Sequence, residues 1–102
     1  DFTFVDDCNQ ANIKACFAEG AAGGFFNVGT GERISINELY GKISSAAGFS
    51  SPPVHAPARK GDVRDSLSDI SRTRDVLGYA PEFNIDSGLR ETLGWHRRLL
   101  KG

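Results

Sequence analysis

The sequence has no methionine, only two cysteines, and no apolar run approaching the ~20 residues that a helix needs to cross a bilayer. Its first residues lack both the basic start and the apolar stretch of a secretory signal peptide. It also has no basic excess, because twelve Lys and Arg side chains face thirteen Asp and Glu side chains. Nucleic-acid-binding domains usually carry such an excess. We therefore expect neither a membrane nor a nucleic acid as partner.

The two cysteines, Cys8 and Cys16, are not expected to form an intrachain disulfide. If the residues between them are helical, their Cα atoms lie ~12 Å apart. A disulfide needs a separation below ~7 Å. Two free thiols and the missing signal peptide favour a reducing, cytoplasmic location. In proteins, free cysteines most often serve as small, buried apolar side chains.

The pattern of apolar residues predicts three short strands and four helices within one domain, residues 1–102. The strands are expected at residues 2–5, 25–28 and 54–56, which gives the order β-α-β-α-β-loop-α-α. Three short strands form a poor sheet when they are alone. The chain also opens in a strand-like run without a start methionine. We therefore expect it to be part of a longer protein and to pack against a partner layer.

Residues typical of helix N-termini precede each predicted helix. Asp6, Asp69 and Asn84 are candidate caps for the first, third and fourth helices. Ser35 and Glu38 match the capping box, in which each side chain bonds the backbone N–H of the other residue.

Several catalytic motifs are absent. There is no G-x-G-x-x-G sequence, and so no evident dinucleotide-binding turn. Neither Tyr40 nor Tyr79 is followed by a lysine four residues later. His55 and His96 have no partner at a metal-ligand spacing. The residues therefore predict no redox, cofactor or metal chemistry for this chain.

Two loops remain as candidates for anion binding. In the first, Arg59, Lys60 and Arg64 accompany Asp62 in a glycine-containing stretch. A guanidinium group matches a phosphate with two parallel hydrogen bonds, and a carboxylate suits a sugar hydroxyl. In the second loop, the residues at 29–31 precede a helix N-terminus, where backbone N–H groups favour anions. The alternatives are a solvated charged loop and an ordinary turn.

A set of ordered motifs resembles the extended short-chain dehydrogenase/reductases that act on nucleotide sugars, the NAD-dependent epimerase/dehydratase family. Each motif is modest alone, but together they cover nearly the whole chain in the family's order. They are D-F-T-F-V-D-D at residues 1–7, F-N-V-G-T-G at 26–31, R-K-G-D-V-R at 59–64 with Ser66, Asp69 and Ile70, L-G-Y-A-P at 77–81, and Gly88-Leu89 with Trp95. The pattern is most similar to UDP-sugar 4-epimerases, although related dehydratases and decarboxylases share much of it.

This resemblance implies an α/β fold in which the chain is the small mixed α+β, C-terminal substrate-binding portion and the Rossmann core is absent. It implies that Arg59 contacts the UDP diphosphate and Asp62 the uridine ribose, with Arg64 as a further candidate. The junction with the rest of the enzyme would be shaped by Asn27 and by the loop Gly29, Thr30 and Gly31. One departure is Ser68, where the family often has alanine.

The resemblance also implies that NAD, the glycine motif and the catalytic tyrosine-lysine pair belong to the Rossmann portion of the parent enzyme. The chain alone is then expected to bind a UDP-sugar but no NAD, and to be inactive. A rival hypothesis is a stand-alone interaction module that forms a symmetric homodimer through the face that would pack on the Rossmann core. A nucleic-acid-binding module is a weaker third hypothesis, because the basic cluster is single and short.

Overall fold

The computed structural model describes residues 1–102 and contains four helices. These are α1 (Val5–Phe17), α2 (Ile36–Ala47), α3 (Ser71–Leu77) and α4 (Ile85–Lys101). Helix α1 packs on α3, and α2 packs on α4. No helix combines the length and the apolar composition that a membrane crossing requires.

The three predicted strands are wrong, because no residue of the chain forms a β-ladder. Phe4 does have extended backbone angles, but its carbonyl accepts only from the first turn of α1. Residues 25–28 and 54–56 make no backbone–backbone hydrogen bond. An extended segment becomes a strand only when a neighbouring strand supplies the ladder bonds. Within this chain no such neighbour lies beside them.

The predicted caps of α2 and α4 are confirmed. The Ser35 backbone nitrogen donates to Glu38 Oε2 at 2.9 Å, and the Glu38 backbone nitrogen donates to Ser35 Oγ at 3.1 Å. The bond from the Ser35 backbone nitrogen, together with one that Ser35 Oγ donates to Glu38 Oε2 at 3.1 Å, holds the pKa of the Glu38 carboxyl below its ordinary value of 4.5. Asn84 Oδ1 accepts from the Ser87 backbone nitrogen at 2.8 Å and so caps α4.

The predicted caps of α1 and α3 are wrong. Helix α1 begins two residues earlier than a cap at Asp6 implies, so Asp6 lies inside its first turn and Phe4 precedes the helix without a side-chain cap. The residue preceding α3 is Ile70. Asp69 Oδ1 nevertheless accepts from the backbone nitrogen of Ser71 at 3.0 Å, which satisfies one N–H of the first turn.

A carboxylate on α1 holds the backbone that leads into α4. The Asp7 side chain is buried, with 1% of its surface exposed. Its two oxygens accept from the backbone nitrogens of Glu82 at 2.8 Å and Phe83 at 3.1 Å. Burying a carboxylate is costly unless it is fully hydrogen-bonded, and these two N–H groups meet that requirement.

Two more α1 side chains continue this line of contacts at helical spacing. Gln10 pairs with the peptide of Ala80, accepting from its nitrogen at 3.0 Å and donating to its carbonyl at 2.9 Å. Lys14 Nζ donates to the Gly78 carbonyl at 2.8 Å, beyond the end of α3. The three side chains, at positions i, i+3 and i+7, share one face of α1. We call them the polar seam. They hydrogen-bond to the backbone of residues 78–83, which is not paired with any strand.

The apolar core is small and surrounds one tyrosine. Tyr79 is fully buried, and its hydroxyl donates to the Gly29 carbonyl at 2.6 Å. Burial raises the pKa of Tyr79 above its ordinary value of 10.0, so the phenol remains a donor. The other buried apolar residues are Ala11, Ala21, Ile70 and Leu77.

The molecule is a thin plate that leaves many apolar side chains uncovered. Its extents are 49 × 37 × 19 Å. Its radius of gyration is 16.5 Å, whereas a compact domain of this length has about 13 Å. Only nine of the 102 residues are buried. Phe17 and Phe25 are 83% and 89% exposed. Large exposed aromatic rings are uncommon on monomeric surfaces when they form a patch, and such patches are typical of surfaces that bind another protein layer.

We predict that Asp7→Ala lowers the free energy of unfolding by about 2–3 kcal/mol, because it leaves two backbone N–H groups without an acceptor. The matched control is Asp6→Ala, which removes an exposed carboxylate from the same turn and should cost at most about 0.5–1 kcal/mol. Urea unfolding followed by circular dichroism measures both values. Equal losses for the two variants would contradict a structural role for the Asp7 carboxylate.

Candidate functional site

The basic stretch predicted from the sequence lies in a long exposed loop, residues 52–65, between α2 and α3. Every residue of this loop is exposed. All of its hydrogen bonds are internal to the loop. The residue just before it, Ser51, accepts from Tyr40 Oη at 2.6 Å. The loop is therefore attached to the body of the protein only at its ends.

Arg59 and Asp62 lie together on one turn of this exposed loop. The Asp62 backbone nitrogen donates to the Arg59 carbonyl at 3.3 Å, and Gly61 supplies the positive φ of +90° that the turn requires. Arg59 Nε donates to Asp62 Oδ2 at 3.1 Å. Their side chains are 86% and 52% exposed. The two residues are thus close enough to contact one ligand, and neither is buried by the fold.

The bond between these two side chains leaves the binding groups of both partly free. Arg59 uses Nε toward Asp62, so its two terminal nitrogens remain available to donate to an anion. Asp62 retains an oxygen that can accept from a hydroxyl group. An exposed ion pair contributes little to stability, and its main effect is on the direction of the guanidinium plane. This arrangement suits a ligand that carries phosphate next to a sugar.

Arg64 lies elsewhere, in a groove of about 550 Å³ beside the first residues of the chain. A second guanidinium, that of Arg33, lines the same groove, whereas Arg59 and Asp62 do not. Arg33 was not predicted as a site residue, because it stands alone after the glycine loop with no other basic residue beside it. Only the fold brings it to the groove that Arg64 lines.

The glycine loop (residues 29–31) binds an anion that belongs to the chain itself. The Asp1 carboxylate accepts from the backbone nitrogens of Thr30 and Gly31, each at 3.0 Å. It also accepts from Thr30 Oγ1 at 2.8 Å. The N–H groups that the sequence suggested for a ligand are therefore occupied by a carboxylate of the protein. Asn27, just before this loop, is exposed, and its carbonyl accepts from Thr73 Oγ1.

Gly29 is buried at the point where three segments of the chain meet. A Cβ at this position would lie 2.6 Å from Ser68 Cβ and 2.8 Å from Asp1 Oδ2. Both distances are too short for any side chain. The absence of a side chain at residue 29 is thus what lets residues 1, 30 and 68 approach one another. The role of Asp1 here was not predicted, because its contacts are made by residues distant in sequence.

Comparison with known proteins gives consistent relatives, although no family model matches the chain. The chain is 40% identical to a UDP-glucose 4-epimerase of Mycolicibacterium smegmatis over 95% of its own length and 31% of the relative. It superposes on the UDP-glucose 4-epimerase of Thermotoga maritima, solved with UDP-glucose, with a TM-score of 0.93 and 34% identity. That match covers 98% of this chain and 32% of the other.

A third match is the UDP-glucose 4-epimerase of Bifidobacterium longum, solved in complex with NAD+ and UDP. Its TM-score is 0.87 and its identity 28%, over 96% of this chain and 30% of the other. The chain therefore spans about a third of the length of the proteins it matches.

We predict that Gly29→Ala destabilises the protein by about 1–3 kcal/mol, the usual cost of forcing an extra group into a packed site. The matched control is Gly41→Ala in α2, where an added Cβ meets nothing within 4 Å. That change should stabilise α2 by about 0.5–1 kcal/mol, because alanine favours a helix more than glycine does. Thermal unfolding of both variants tests the contrast, and a neutral Gly29→Ala would show that residues 1 and 68 separate freely.

Proposed function

This chain belongs to the NAD-dependent epimerase/dehydratase family, as its C-terminal portion, and we propose that it binds the nucleotide of a UDP-sugar for a 4-epimerase. The observation that carries the proposal is the superposition of 98% of the chain on an epimerase solved with UDP-glucose. This assignment also confirms the expected family fold, while the portion described here is formed by helices and loops alone.

The turn at residues 59–62 supplies the contacts to the nucleotide. The terminal nitrogens of Arg59 donate to the diphosphate, which a planar guanidinium group matches better than an ammonium group does. Asp62 accepts from a ribose hydroxyl. The two side chains lie 3.1 Å apart and are exposed, so a ligand that carries both groups reaches them without rearrangement of the fold. Arg64 lines a different groove, together with Arg33, and is a candidate for substrate binding or for the junction there.

The loop at Asn27, Gly29, Thr30 and Gly31 serves the junction with the rest of the enzyme. The N–H groups of Thr30 and Gly31 already donate to the Asp1 carboxylate, and the Gly29 carbonyl accepts from the Tyr79 hydroxyl. Such a loop gives shape to the surface beside the substrate and has no free donor at residues 30 and 31 for a phosphate. Its part in substrate binding is therefore indirect.

The redox step belongs to another part of the enzyme. The sequence has neither the glycine motif for a dinucleotide nor a tyrosine followed four residues later by a lysine. NAD supplies the hydride chemistry when it is bound by the Rossmann portion. The residues of this chain bind and orient the nucleotide while the sugar reacts. Contacts remote from the reacting carbon can contribute much of the rate of an enzyme, because they fix the orientation of the substrate.

The uncovered apolar side chains provide the surface on which the Rossmann portion packs. Ile13 and Phe17, on α1, are 61% and 83% exposed, and Phe25 is 89% exposed. Burial of such side chains stabilises an interface by roughly 25 cal/mol per Å². Both cysteines are free, which fits the cytoplasmic location that we propose for the enzyme.

We predict that Arg59→Ala, in the enzyme that carries this chain, weakens UDP binding by about 1.5–3 kcal/mol, or roughly 10- to 150-fold. Arg59→Lys should recover only part of the loss, because lysine keeps the charge but not the two parallel donors. Isothermal titration with UDP measures both. The control is Arg98→Ala on α4, a residue with no side-chain bond in the structure. An affinity unchanged by Arg59→Ala would refute the diphosphate contact.

When the chain stands alone, the same apolar surface favours self-association into a symmetric dimer. We predict that the isolated chain forms dimers or larger species, because Phe17 and Phe25 are then exposed to water. Size-exclusion chromatography with light scattering measures the mass. A monomer at all concentrations tested would exclude the stand-alone interaction module.

A further inference from the structure

The exposed loop (residues 52–65) has no hydrogen bond to the rest of the protein. Its position is therefore set by the residues that fix its two ends. We infer that Tyr40 and Asp1 are positioning residues, which hold the turn of Arg59 and Asp62 where the nucleotide binds. The inference rests on the proposed function of that turn.

Tyr40 fixes the end of the loop that follows α2. It lies on α2, and its hydroxyl donates to the Ser51 carbonyl at 2.6 Å. Helix α2 is itself fixed by the Ser35–Glu38 capping box and by packing on α4. Ser51 is also followed by two prolines, whose φ angles are restricted. After the backbone bonds that end α2 at Gly48 and Phe49, this phenol–carbonyl bond is the last hydrogen bond that holds the chain before the loop.

Asp1 fixes the end at which the loop returns to the core. Its nitrogen, the terminal amino group of this chain, donates to the Ser66 carbonyl at 3.1 Å. Its carboxylate accepts from the Ser68 backbone nitrogen at 3.4 Å. The same carboxylate accepts from Thr30 and Gly31, so the return of the loop is joined to the glycine loop. Ser66 lies only four residues after Asp62, so the bond between the Asp1 nitrogen and the Ser66 carbonyl acts close to the proposed site.

The physical consequence is a shorter free loop. With both ends fixed, the flexible stretch is limited to residues 52–65, and the turn samples a smaller volume. Loss of either bond lengthens the flexible stretch, and a ligand must then restrict a larger ensemble when it binds. Pre-organisation of this kind raises affinity without adding a contact to the ligand. Tyr40 and Asp1 therefore affect nucleotide affinity through Arg59 and Asp62.

The test compares UDP affinity and thermal stability in the enzyme that carries this chain. We expect Tyr40→Phe, which removes the single bond to the Ser51 carbonyl, to weaken UDP binding about three- to tenfold. Asp1→Ala removes the carboxylate that accepts from Ser68, Thr30 and Gly31, and should weaken UDP binding at least as much. The matched control is Asp7→Ala, the same substitution at a carboxylate that accepts two backbone N–H groups far from this loop. It should lower the melting temperature and leave the UDP affinity of the folded enzyme unchanged.

A double-mutant cycle with Arg59→Ala tests the positioning role of Tyr40 and Asp1 separately from the proposed diphosphate contact of Arg59. If Tyr40 and Asp1 act through the turn, adding either substitution to Arg59→Ala should cost clearly less than it does in the unmodified enzyme. Fully additive losses, or single variants that lower stability without changing UDP affinity, would overturn the positioning role while leaving the proposed function intact. If Arg59→Ala itself has no effect, the proposed function fails first.

Discussion

This structure depends on one constraint. Backbone N–H and C=O groups outside the helices need hydrogen-bond partners, and no β-strand supplies them. Two carboxylates on one short stretch meet that need. Asp7 accepts from the two N–H groups that precede α4, and Asp1 accepts from those of the glycine loop. Charge-assisted bonds of this type are among the stronger hydrogen bonds in proteins. With only nine buried residues, the chain relies on them where a larger domain would rely on its core.

These contacts explain which features of the fold could be predicted from the sequence. The four helices follow from local rules, namely the periodicity of apolar residues and the caps at Ser35 and Asn84. The strands could not be predicted correctly, because their apolar composition does not say whether a neighbouring strand is present. Asp6 and Asp7 illustrate the same limit. Both are acidic residues before an apolar stripe, but only the tertiary structure shows that Asp7 is buried against the start of α4.

The candidate site also has one part that could be predicted from the sequence and one part that could not. Residues close in sequence, Arg59 and Asp62, share one turn, as a spacing of three residues permits. The groove that combines Arg33 with Arg64, and the approach of Asp1 to the glycine loop, join residues separated by about thirty positions. Arguments from spacing do not reach such pairs. The family motifs mark the segment around Asp1 as important, although they do not state that its carboxylate binds a loop of the same chain.

The thickness of the plate, 19 Å, has a consequence for how the protein would tolerate change. A helix with its side chains is about 10–12 Å across, so the plate is at most two helices deep. Almost every side chain then lies near one broad surface or the other. Substitutions that are silent on an ordinary globular surface would here change one of the two broad faces of the plate. The thermodynamic character of this chain is that of an interface as much as that of a core.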